Sequence, residues 1–133
     1  MSLWTEEELR KIASTDEVSI SLERDDGTLR RPVIVWAVRH EDNLYVRSVR
    51  GRGSDWFRAA QVRRVGQLQV GDVSKAVSFV EEASPEINDA LDRAYAVKYR
   101  RYAASIIESI NSAEARLATL RVEATETVSG RSR

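Results

Sequence analysis

The chain has 133 residues, which suits one domain of ordinary size, and 42% of them are hydrophobic, enough for a core. Lys plus Arg and Asp plus Glu number 21 each, so formal net charge is zero and no global attraction to nucleic acid is expected. Lack of cysteine excludes disulfides, thiol catalysis and cysteine metal sites, and no apolar run approaches the ~18 residues of a membrane helix.

Thr5 followed by Glu6, Glu7 and Glu8 predicts a capped helix to about Ser14. Val18, Ile20 and Leu22 alternate with polar residues as in a half-buried strand. Asp25-Asp26-Gly27-Thr28 reads as a hairpin turn. Pro32 to His40 follows as a strand apolar on both faces, then a turn at residues 41–43 and a strand from Leu44 to Ser48. Asp55 to Gln61 reads as a short helix carrying Trp56 and Phe57. Strands are expected at Gly66–Val70 and Val73–Val80, and Ser84-Pro85-Glu86 opens the clearest helix. A helical piece at Ala103–Ile110 and a strand at Arg116–Glu123 complete the pattern. Residues 1–124 form one domain on this reading, and 125–133 a loose tail. The N-terminus lacks the order of a signal peptide, so a cytoplasmic protein is expected. Six strands with short turns suggest a small closed barrel; an open antiparallel sheet with helices on one face is the competing architecture.

The stretch from Tyr45 to Ala60 carries most of the chemistry. Arg47, Ser48, Arg50, Arg52 and Ser54 fall within eight residues, interleaved with Gly51 and Gly53, just before a helix start. Guanidinium forks, hydroxyls and backbone N–H groups suit a phosphate. The same composition also describes a solvated arginine cluster. His40 is the sole histidine, which leaves a catalytic triad or histidine metal site without support. Glu86, Asp89 and Asp92 read as a solvated helix face, and Trp36 as core or subunit interface.

The stretch TLRRPVIVWAVRHEDNLYVRSVRGRGSDWFRAA resembles the core of the split-barrel flavin-binding proteins, nearest to deazaflavin-dependent nitroreductases and a related uncharacterised bacterial family. Arg31-Pro32 stands at that family's proline strand, Ser48 at the strand end, and Trp56-Phe57 at its aromatic pair. AYAVKYRRY and ATLRV resemble its helix and closing strand. The resemblance implies a mainly β chain with peripheral helices: a six-stranded antiparallel split β-barrel, usually a homodimer, binding FMN or deazaflavin near the subunit interface. It places cofactor phosphate on Arg47, Ser48, Arg50, Gly51 and Ser54, with Trp56 at the cofactor edge. The implied function is a flavin- or deazaflavin-dependent oxidoreductase, in which no side chain need act as catalyst. The alternative is a non-catalytic binding or interaction module. No metal, nucleic acid or membrane partner is expected.

Overall fold

The computed structural model describes residues 3–125; of the expected tail, residues 126–133 lie outside the described residues. In chain order the elements are α1 (Glu6–Ala13), β1 (Val18–Leu22), β2 (Val33–Val35), β3 (Ala37–His40) and β4 (Asn43–Arg47). A 3-10 turn (Gly51–Gly53), α2 (Asp55–Arg63), β5 (Val65–Val70) and β6 (Val73–Glu81) follow. Then come α3 (Pro85–Lys98), α4 (Ala104–Ile110), α5 (Ala113–Arg116) and β7 (Thr119–Ala124).

The strands form one antiparallel sheet in the order β2-β1-β5-β6-β7-β4-β3. Its two edges, β2 and β3, are neighbours in the chain, separated only by Trp36. β2 pairs with β1 and β3 pairs with β4, so one kinked segment joins the two edges and the sheet nearly closes into a barrel. The expected strand Pro32–His40 is therefore broken, and six strands become seven. A strand that must change partner midway cannot keep one continuous ladder, and Trp36 marks the exchange.

Alternation sends Val18, Ile20 and Leu22 of β1 inward. They meet Leu44, Val46, Leu68, Val70, Phe79, Leu120 and Val122 in the barrel interior. Each such side chain, fully buried, contributes about 1.5–3 kcal/mol. α1 adds Leu9 and Ile12 to this core and α2 adds Phe57 and Ala60. A capping box fixes the start of α1: Glu8 N donates to Thr5 Oγ1 at 3.1 Å, and Thr5 N donates to Glu8 Oε1 at 3.0 Å. β5 crosses β1 so closely that a Cβ on Gly66 would lie 2.3 Å from the Ser21 carbonyl oxygen.

α3 lies on the outside of the barrel. It packs Leu91, Tyr95 and Tyr99 against Val38 and Tyr45, on the side of β3 and β4 that faces away from the core. This helix covers the second face of the doubly apolar strand from Trp36 onward; Ile34, in β2, stays 60% exposed. The last strand begins at Thr119 rather than Arg116, because Ser112 Oγ accepts from Ala115 N at 3.1 Å and caps α5. Among the described residues no helix is long and apolar enough to cross a membrane.

Candidate functional site: a groove beside the strand kink

The end of β4 divides the arginines of the basic loop into three environments. Arg47 lies on the outer face of β4, buried beneath α3. Its Nε donates to Thr119 Oγ1 at 3.0 Å. One terminal nitrogen donates to Asp92 Oδ1 at 2.7 Å and Asn111 Oδ1 at 3.0 Å. The other donates to the carbonyl and side-chain oxygens of Asn88, at 3.1 and 2.9 Å. A guanidinium has five N–H groups, and these contacts use all five. The Arg47 guanidinium also stands 5.4 Å from the Tyr95 ring centroid, and the Tyr95 hydroxyl donates to the Trp36 carbonyl at 2.7 Å. Burial pushes the Tyr95 phenol far above its ordinary pKa, against the opposing charge of Arg47. Arg47 thus holds α3, α4 and the start of β7 to β4.

Arg52 is exposed and tied down differently. It donates to Glu81 Oε1 at 2.7 Å and to the Leu117 carbonyl at 2.9 Å. That bond holds the Glu81 carboxyl below its usual range, against partial burial. Arg50 is exposed, and among the described residues its side chain has no hydrogen-bond or salt-bridge partner.

The backbone between them is shaped by Gly51, buried at φ +79°, where a Cβ would lie 2.4 Å from Glu114 Cγ. Ser54 caps α2, accepting from Phe57 N at 3.3 Å, and its Oγ is 2.7 Å from Ser48 Oγ. The two hydroxyls therefore hold strand end and helix start together.

A groove of about 1060 Å³ opens beside this corner. Val33, Ile34, Val35 and Trp36 of the kinked segment form one wall, and Ile106, Ser109 and Ile110 of α4 another. Its polar end is Ser48, Arg50 and Gly53 to Asp55, with Val49 and Trp56 beside it. Of the residues assigned from sequence, Arg47, Ser48, Arg50, Ser54 and Trp56 line the groove; Gly51 does not. Arg47 lines it with its guanidinium committed elsewhere. The walls from β2, Trp36 and α4 were missing from the sequence assignment. Trp36 was the available signal, a large ring in a segment with no other break.

Residues 8–122 match the model of a family described as uncharacterized proteins conserved in bacteria (DUF2255). The chain belongs to this family. No curated protein matches it. Among solved structures it is similar to HutZ, the heme storage protein from Vibrio cholerae, at 13% identity and a TM-score of 0.58, over 96% of this chain and 93% of that one. An F420 reductase is also 13% identical, with a TM-score of 0.55 over 88% and 92% of the two chains. A FAD-binding protein from Mesorhizobium loti gives 13% and 0.53, over 92% and 91%. At such identity the likeness is one of fold, and that fold is the split β-barrel.

Proposed function

We propose that the groove binds a flavin or deazaflavin and that the protein is an oxidoreductase using it. The observation that carries this reading is the pairing of apolar walls with a polar end that holds an uncommitted cation. A planar tricycle needs a slab of apolar surface, which Ile34, Val49, Trp56 and Ile106 offer. A phosphate needs charge and donors, which Arg50, Ser48 and Ser54 offer. The bound cofactor would supply the hydride or electron chemistry. The chain's residues would orient it: Arg50 at the phosphate, Trp56 at the ring edge, Arg47 and Gly51 shaping the site from behind.

The F420 and FAD proteins of the same fold support a flavin-type cofactor, while HutZ, named for heme storage, shares that fold. Heme iron takes His, Cys, Met or Tyr as its axial ligand. Among the described residues none of these lines the groove. The reading includes a homodimer, in which a second copy covers the exposed Ile34, Val49 and Ile106 at the groove's edge. Sedimentation as a monomer at micromolar concentration would remove that part.

Fluorescence titration of FMN and of a deazaflavin tests the site. Arg50→Ala should weaken the bound ligand about 10-fold, the loss of one charge-assisted contact. Arg58→Ala, an exposed arginine outside the groove, should leave affinity unchanged. No saturable binding of either ligand, or equal loss in both variants, would make the arginines a solvated cluster.

A further inference from the structure

A second pocket of about 590 Å³ lies away from the groove, between the end of α1, β3 and the end of α3. Lys98 lines it, together with Ser14, Asp16, Arg39, Arg100 and Arg101. Lys11, Lys75 and Lys98 are the only lysines of the chain. Lys11 pairs with Asp72 at 2.8 Å, and Lys75 sits between both oxygens of Glu8 at 2.8 and 2.9 Å. Among the described residues Lys98 has no carboxylate partner. Among these residues its amine donates only to the carbonyl oxygens of Ile12 and Ala37. The nearby acid, Asp16, is taken by Arg101 and by the Tyr102 hydroxyl.

We propose that Lys98 is a reactive amine that forms Schiff bases with small aldehydes and 2-oxo acids carrying an anionic group. Two carbonyls can accept both N–H bonds of a neutral amine, which leaves the nitrogen lone pair free for a carbonyl carbon. Burial also draws the Lys98 pKa down to about 8, so a usable fraction is neutral near neutral pH. The ionisable groups around it are Asp16 before β1, Arg39 on β3, and Tyr99, Arg100 and Arg101 at the end of α3. Arg39 is held by both oxygens of Glu6, whereas among the described residues Arg100 has only a long contact to the Val97 carbonyl. Arg100 is therefore the cation left to meet the ligand's carboxylate or phosphate. In the reaction the amine nitrogen bonds to the carbonyl carbon, and the oxygen takes up two protons, one released by that nitrogen and one from solvent. Water then leaves as the C–O bond breaks, giving the protonated imine; hydrolysis reverses each step.

The probe is glyoxylate with cyanoborohydride, whose hydride reduces the imine to a stable secondary amine. The full chain is labelled at pH 7.5 and mapped by mass spectrometry, with the N-terminal amine scored separately. Lys98 should label at least about 10-fold faster than Lys11 or Lys75, as a lysine of depressed pKa is far more often neutral. In urea the three should label alike. Arg100→Ala should slow Lys98 labelling by glyoxylate several-fold and leave labelling by uncharged glyceraldehyde unchanged. Equal labelling of the three lysines in the folded chain, or Lys98 the slowest, overturns the proposal. Equal slowing of both probes in Arg100→Ala overturns its anionic selectivity.

Discussion

The barrel interior and the interface under α3 are both buried, yet they are built from different materials. The interior gathers apolar side chains, from Leu9 through Val122, and the buried charged side chain among the described residues, Arg47, lies outside it. The α3 interface packs Leu91 and Ile110 around polar atoms: the Arg47 guanidinium, Asn88, Thr119 and the hydroxyls of Tyr95 and Tyr99. The first surface needs only residues of suitable size at the right parity. The second needs named partners from β4, α3, α4 and β7 to arrive together, because a buried polar group is costly until it is bonded.

Breaking the polar side should produce the largest effect. Arg47→Ala leaves Asn88, Asp92 and Thr119 around an empty space and should lower unfolding free energy by about 3–5 kcal/mol in urea titration. Arg47→Lys should recover little, since three donors from a point charge cannot replace a five-donor fork. A loss below about 1 kcal/mol in Arg47→Ala would mean that the network is incidental to stability. Leu68→Ala, in the fully buried interior, should cost about 3 kcal/mol through lost contact and cavity. Its cost should not change with pH or salt. Hydrogen exchange sharpens the contrast: protection should fall first in α3 to α5 for the arginine variant and throughout the sheet for the leucine variant.

This contrast also explains what could be read in advance. β1, β5 and β6 were legible because a strand with one wet face alternates, as Val18, Ile20 and Leu22 do. The Pro32–His40 segment was legible as strand but not as two strands. Its residues are apolar at both parities, so neither the inward face nor the break at Trp36 leaves a mark in the pattern. The groove was half legible. Its polar end is local in sequence, from Ser48 to Trp56, whereas Ile34 and Ile106 reach it from elements far apart in the chain. Arg47 looked equivalent to Arg50 because both are arginines in one loop. What separates them is that Asn88 and Asp92, on α3, and Asn111 after α4 all close on Arg47. Asp92 read as part of a solvated face, yet it binds both Arg47 and Arg116. Asn88, on the helix face shared with Leu91 and Tyr95, was the clue available: a polar residue on a buried stripe needs a partner.

The smallest expected effect lies in the response to alkali, and it too separates the two regions. Lys98, beside the α3 interface, is drawn down by burial from an ordinary 10.5 to about 8. Between those values the unfolded chain binds more protons than the folded one, so stability rises with pH. Tyr95 and Tyr99 run the other way. Burial pushes both phenols up, so their contribution is complete below about pH 10 and is lost as unfolded phenols ionise above it. Wild-type stability should therefore climb from pH 8 and turn over above pH 10. Lys98→Met should remove the climb and keep the fall. The difference between the two curves should be on the order of 1 kcal/mol, because the Lys98 amine stays partly in contact with water. Urea midpoints at pH 7.5, 9, 10 and 11 would show it. Leu68→Ala should follow wild type in parallel at every pH, since the interior cluster around Leu68 is built of apolar side chains. A Lys98→Met curve parallel to wild type would mean that the climb, if seen, arises at another group and that Lys98 is solvated enough to titrate normally.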